Sequence, residues 1–296
     1  MCALAIGAQG HLGIRKESSF ASGGSIDSWQ PFNSETIGLT YNNVYSDRIQ
    51  STAEQVGGQS GIYVVAGNIT FPVSPQMPSQ WLTCGVGQTS SPYYPTRDLS
   101  SMLFQIDRET AAVQVSGCMI GTMAFSSSQG GELTCSVDTE GAGMGSVTAG
   151  SPSFIASDSP YLHEEATFAL NGANDTSVTA WSLNVNNNLV GDLFGTSRAR
   201  LNIPAGKCVV TGSFTKLFDD TTERNAFLNA QVRSFKATFA RQGASIVFLC
   251  PKVRYNTHPE NIGGQSEYIL ETFNFTAFVD DPSTENSLRI TGDFVL

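Results

Sequence analysis

The chain is short of charge. Of its 296 residues only 14% are Asp, Glu, Lys or Arg, well under the roughly one quarter usual in soluble domains. Bases are the scarcer sign, 16 against 26 acids, and the deficit runs through both halves: 11 acids and 5 bases in residues 1–150, 15 and 11 in residues 151–296. No basic stripe is present to grip phosphates, which excludes ordinary nucleic-acid binding and leaves open a surface that DNA slides past. Close-set cysteines are missing too. Cys2, Cys84, Cys118, Cys135, Cys208 and Cys250 include no CxxC pair and the three histidines do not cluster. Metal and redox motifs have no spacing to rest on, so reduced, mostly buried thiols and no cofactor are expected. The first residues lack a basic stretch followed by a long apolar run, and no 18-residue apolar stretch occurs; neither a secretion signal nor a membrane helix is expected.

Helical periodicity is scarce as well. Two short helices are expected, at Ser74–Cys84, where Pro75 and Pro78 suit a first turn, and at Asp219–Ala230, which opens on a capping sequence. The rest is rich in Gly, Ser, Thr and Asn, with apolar residues alternating along short segments, as antiparallel sheets with one wet face require. In 133–138, Leu133, Cys135 and Val137 oppose Thr134, Ser136 and Asp138; in 272–277, Phe273, Phe275 and Ala277 oppose Thr272, Asn274 and Thr276. The fold class read from this is all-β with minor α.

The segments recur. Ser34–Asn43 lines up with Val178–Asn187, Val65–Thr70 with Val210–Thr215, and Trp81-Leu82 with Phe227-Leu228. Ala111–Ile120 then falls beside Ala244–Val253, and Glu132–Glu140 beside Glu271–Val279. The constant order predicts a tandem duplication: an N-terminal arm over 1–30, a first copy over 31–145, a linker over 146–160 and a second copy over 161–296. The arm is Gly- and Ser-rich and has too little apolar content to belong to a core. Two polar segments of about twenty residues, Tyr41–Gly61 and Asn186–Lys207, are long for a compact domain. They are expected to be functional, and Asn43, Arg48, Asn187, Arg198 and Arg200 are their candidate contact residues.

Leu12–Ala21, Trp29–Thr36, Gly117–Asp138, Val178–Leu189 and Gly206–Asp220 together resemble, in order and over nearly the whole chain, the tail tube proteins of long-tailed (siphovirus-type) bacteriophages. The resemblance implies two tandem tail-tube β-barrel or sandwich domains, each with one short flanking helix. It also implies a non-enzymatic structural protein of the virion tail, made in the host bacterial cytoplasm. Its partners would be other copies of itself, in a homotrimeric ring with pseudo-sixfold symmetry or a homohexamer, stacked rings, the tape measure protein and the tail terminator. Viral double-stranded DNA would pass through without specific binding. Thr134, Ser136, Asp138, Thr272, Asn274 and Thr276 would then face the channel, and Asn43, Arg48, Asn187, Arg198 and Arg200 would meet neighbouring subunits or rings.

Other readings remain at this level. The same fold serves tail terminators, distal tail proteins and the inner tubes of contractile systems. A carbohydrate-binding β-sandwich would use Trp29, Trp81 or Trp181 as platforms, although Trp81 and Trp181 stand at apolar positions of the repeat. An enzyme would need His11, His163 or His258, of which only His163-Glu-Glu165 approaches a cluster.

Overall fold

The computed structural model describes residues 7–48, 54, 55, 57–154, 158–261 and 268–294. Strands dominate and all their pairings are antiparallel. The first half contains β1 (His11–Lys16), β2 (Ser28–Gln30), β3 (Ser34–Glu35), β4 (Gly38–Tyr45), β5 (Gly58–Pro72), α1 (Gln80–Gly85), β6 (Met102–Asp107), β7 (Ala112–Ser128), β8 (Thr134–Gly141) and β9 (Gly143–Val147). The second contains β10 (Ala166–Leu170), β11 (Ala173–Asp175), β12 (Val178–Asn186), β13 (Val209–Leu217), α2 (Thr222–Leu228), β14 (Arg233–Arg241), β15 (Ala244–Thr257), β16 (Glu260–Asn261), β17 (Leu270–Ala277) and β18 (Arg289–Gly292).

One pairing scheme occurs twice. In the first half β4 pairs with β5, β5 with β8, β8 with β7, β7 with β6 and β9, and β6 with β1. In the second β12 pairs with β13, β13 with β17, β17 with β15, β15 with β14 and β18, and β14 with β10. The irregularities recur with the pairs. The β6–β7 register slips between Met102↔Cys118 and Phe104↔Val115, and the β14–β15 register slips between Arg233↔Val253 and Phe235↔Cys250. A second slip precedes Thr122↔Asp138 in one half and Thr257↔Asn274 in the other. Bulges bend strands at fixed places, so a shared bulge fixes which residues correspond.

Each half buries its own aromatic cluster, and the two belong to one continuous hydrophobic core. In the first, Trp81 on α1 lies 4.6 Å from Phe71 and 5.6 Å from Phe104, ring centre to ring centre. In the second, Trp181 packs against Phe235, Phe239 and Phe248. Both tryptophans are buried and unavailable as sugar platforms. Helix α1 forms because Trp81, Leu82 and Cys84 are all drawn into this core, and it stops where Gly87 takes φ +117°, with Thr96 Oγ1 only 2.2 Å from where a Cβ would stand.

The expected arm is corrected. Residues 11–16 form a full strand, β1, paired along its length with β6, and Leu12 and Ile14 are completely buried. The turn after it is equally fixed. The buried Glu17 carboxylate accepts hydrogen bonds from Ser101 Oγ (2.6 Å), Gly117 N (3.0 Å), Ala21 N (3.2 Å) and Gly23 N (2.9 Å). Residues 1–6 lie outside the described residues. The expected linker starts later than 146, since β9 carries pairing with β7 through Val147; residues 155–157 lie outside the described residues. The Tyr41–Gly61 segment is mostly a hairpin, with β4 running to Tyr45 and β5 starting at Gly58; residues 49–53 and 56 lie outside the described residues.

The halves join through β7 and β12, paired from Thr122↔Asn186 to Ser128↔Ala180. This seam carries two polar anchors. Trp181 Nε1 donates to Ser127 Oγ (2.7 Å), which lies 2.9 Å from His163 Nδ1, while His163 Nε2 is 3.2 Å from the Val178 carbonyl. The buried Asn187 amide donates to the Gly85 (2.8 Å) and Ile120 (2.9 Å) carbonyls. Asn187→Ala strands two buried acceptors, at about 1–3 kcal/mol for each group left unsatisfied. A loss of about 2–6 kcal/mol is expected in a denaturant titration; a loss below about 0.5 kcal/mol contradicts this reading of the seam.

Candidate functional site

Through the seam, β4, β5, β8, β7, β12, β13, β17 and β15 become successive neighbours in one eight-stranded antiparallel sheet. Successive side chains of a strand point to opposite faces, so this sheet has one apolar side and one polar side. Leu133, Cys135, Val137, Phe273, Phe275 and Ala277 are buried on the core side. On the other side Thr134, Ser136, Thr272 and Thr276 are half-buried, and Asp138 and Asn274 are exposed. All six residues expected to share a wet face do so.

The pairing brings these residues into cross-strand ladders. Asn68 Nδ2 donates to Ser136 Oγ (2.9 Å) and Asp138 Oδ1 (2.8 Å), and the Ser126 and Thr134 hydroxyls meet at 3.2 Å. In the second half Ser182 and Ser213 meet at 2.8 Å and Thr215 and Thr272 at 3.0 Å. Asn274 Nδ2 donates to Thr257 Oγ1 (2.7 Å) and Asn256 Nδ2 to Thr276 Oγ1 (2.8 Å). Short polar side chains that bond sideways make a smooth, hydrated surface. The charges on it are few: Asp138, Glu140 joined to Arg200 at 2.8 Å, and Arg254 at the β15 edge.

The expected contact residues separate into two groups. Asn43 is exposed on the β4–β5 hairpin, and exposed Arg48 donates from Nε to Ser46 Oγ (2.8 Å). Arg198 is exposed while its carbonyl accepts from Tyr63 N (3.1 Å). Asn187 and Arg200, by contrast, are buried where the 187–207 loop lies on the first half. Arg200 pairs there with Glu140 and donates from Nε to the Gly191 carbonyl (2.6 Å). Nothing in the sequence separated these two from the exposed residues of the same loops.

The titratable groups read as structural. Burial holds the Cys84 and Cys250 thiols up at about 12 and Cys208 at about 11, with Cys118 and Cys135 also well above the ordinary thiol value. Thiols kept protonated are poor nucleophiles. His163 belongs to the seam, Glu164 Oε1 accepts from Gly130 N (2.6 Å), and Glu165 pairs with Arg241. Buried Lys216 lies 2.8 Å from Asp175 and 2.9 Å from Asp219. Burial pushes the Asp175 carboxyl up, but hydrogen bonds from Lys216 and Ser177 outweigh it and hold the group below the usual value. A depressed carboxylate stabilises the fold above its unfolded value of ~3.9 and loses that contribution as pH falls through the folded value. Asp175→Asn is therefore expected to lower stability at neutral pH and to flatten the acid limb of a stability–pH curve; an unchanged curve contradicts the coupling.

A family model described as phage tail tube protein matches residues 7–277 of the chain. No curated protein matches it.

Proposed function

We propose that this chain, which belongs to the phage tail tube protein family, closes with copies of itself into rings that stack into the channel for DNA ejection. As a member of that family it is a structural protein of the bacteriophage virion, located in the tail. The observation that carries the proposal is the eight-stranded sheet with one side given to Ser, Thr and Asn across both halves. Among the described residues the free edges at β4 and at the end of β15 present unpaired backbone groups, and cyclic closure with further copies satisfies both. Because each chain supplies the unit twice, three chains give a ring with pseudo-sixfold symmetry.

The wet side of the sheet is then the channel wall, with Thr134, Ser136, Asp138, Thr272, Asn274 and Thr276 facing the lumen. Double-stranded DNA carries one negative charge per ~1.7 Å of axis, so a basic wall would hold it by releasing counterions. A neutral hydroxyl and amide wall with a few acids stays hydrated and offers phosphate almost no counter-charge to hold it; salt screens the remaining repulsion within about 8 Å. The exposed β4–β5 hairpin, with Asn43 and Arg48, faces the neighbouring ring. Assembly takes place in the host cytoplasm around the tape measure protein and stops at the tail terminator. Negative-stain microscopy of concentrated protein tests this: stacked rings are expected, and a chain that stays monomeric under every condition in which related tubes assemble opposes it.

A further inference from the structure

The sheet strands of the two halves correspond in pairing and in their bulges, so the seam inside the chain can be transferred to its free ends. Within the chain, Asn186 of β12 lies opposite Thr122 of β7. The counterpart of Asn186 is Thr40: Asn186 is paired with Val209 on β13 as Thr40 is paired with Val64 on β5. The counterpart of Thr122 is Thr257, each following the same bulge and facing Asp138 or Asn274 respectively. Among the described residues β4 pairs with β5 alone, and the outer edge of β15 at Thr257 has no strand beside it. Thr40 and Thr257 are both exposed.

A second, separate observation marks the same end as unfinished. In the first half Val73 N donates to the Leu133 carbonyl (2.8 Å), and Tyr161 closes over this pair through Tyr161 N to Val73 O (2.9 Å) and Leu133 N to Tyr161 O (2.7 Å). Val73 and Leu133 are completely buried. In the second half Phe218 N donates to the Ile269 carbonyl (3.0 Å) at the corresponding place, but among the described residues no third segment pairs there. Phe218 and Ile269 remain 40% and 38% exposed. Tyr161 leads into the turn His163–Glu165 and β10; the same kind of turn, Gly7–Gln9, leads into β1.

From this we propose that the open end of the second half is the seat for the first half of a second copy of this chain, in the register of the internal seam. Thr40 of the incoming copy lies opposite Thr257, its β4 extends the polar sheet, and its first half covers Phe218 and Ile269. The inference rests on the ring reading above and adds which edges meet and in what register. Exposed backbone edges and apolar side chains are both satisfied by one occupant, and an extra copy supplies that occupant because the chain already makes this junction with itself.

Disulfide trapping tests it. Protein carrying Thr40→Cys is mixed with protein carrying Thr257→Cys, assembled and mildly oxidised; a chain with Asn186→Cys and Thr122→Cys shows that the same geometry closes internally. A covalent dimer is expected only in the mixture, and a single chain with both Thr40→Cys and Thr257→Cys is expected to give a closed covalent ring. Tubes without this cross-link, or with Thr40→Cys trapped instead by Arg254→Cys, overturn the register and leave the tube reading standing. Wild-type protein that never assembles overturns both. Phe218→Asp places a charge in the seat; it is expected to leave monomer melting unchanged and to raise the concentration needed for assembly about tenfold. Assembly at the wild-type concentration overturns the seat.

Discussion

A chain lacking residues 1–16 is expected to lose its folded first half, and not merely its ability to stack. Strand β1 fills the layer beside β6 and contributes Leu12 and Ile14, both fully buried. Each side chain of that size stabilises by about 1.5–3 kcal/mol when buried, and removing the strand also opens the β6 backbone edge and the Glu17 turn. Whole domains have only about 5–15 kcal/mol in hand. Circular dichroism and hydrogen exchange are expected to show protection lost from β6, β7 and α1 while β13–β15 keep theirs. Truncation of residues 1–6 alone leaves β1 in place and is expected to retain the fold. Full protection of β6 in the shorter chain contradicts this assignment of β1.

Asp138→Lys combined with Asn274→Lys is expected to leave ring assembly intact and to slow DNA release strongly. The two positions correspond, facing Thr122 and Thr257 respectively, and both are exposed on the wet side of the sheet. The change turns one negative and one neutral site into two positive ones in every subunit. With several such contacts to phosphate, affinity falls by orders of magnitude, roughly 10³–10⁵ for six to ten contacts, between 50 and 200 mM salt. The delay is therefore expected to be large at low salt and to shrink as salt rises. Release at the wild-type rate from particles whose tubes are normal by microscopy would place this face away from the DNA.

The alternation in 133–138 and 272–277 separates buried from wet positions as the structure has them, whereas the strand order is only partly legible, since β1 lies inside the expected arm. Register was less accessible. The sequence match set Glu132–Glu140 against Glu271–Val279, whereas the pairing places Cys135 with Glu271, three residues back; it also set Ser34–Asn43 against Val178–Asn187, whereas the pairing places Thr40 with Asn186, two residues along. A slide of two keeps every side chain on its own face, so alternation cannot detect it. The bulges that fix the true correspondence are backbone features and leave no residue signature. Strand β1 escaped notice because His-Leu-Gly-Ile-Arg-Lys presents two apolar residues around a glycine. Gly13 is there for space: a Cβ would stand 2.7 Å from Ile26.

The halves have also diverged where side-chain periodicity is silent. Where the first half buries Phe71 and Cys135, the second has Lys216 and Glu271, set in the same β5–β8 and β13–β17 registers. A polar residue at a core position reads as a turn or an exposed face in one dimension, and only packing reveals its partners. Asn187 and Arg200 failed to stand out for the same reason: the loop that holds them lies on the other half of the chain.

A density map of the assembled tube, with the subunit fitted by its bulges, decides the matter. The wet side of β8 and β17 is predicted to turn toward the axis, with Asp138 and Asn274 at the lumen surface and Trp81 and Trp181 behind it. A tube whose outer surface carries Asp138 and Asn274, or whose lumen is lined by the β1–β6 and β10–β14 layers, would contradict the assignment of this sheet as the channel wall.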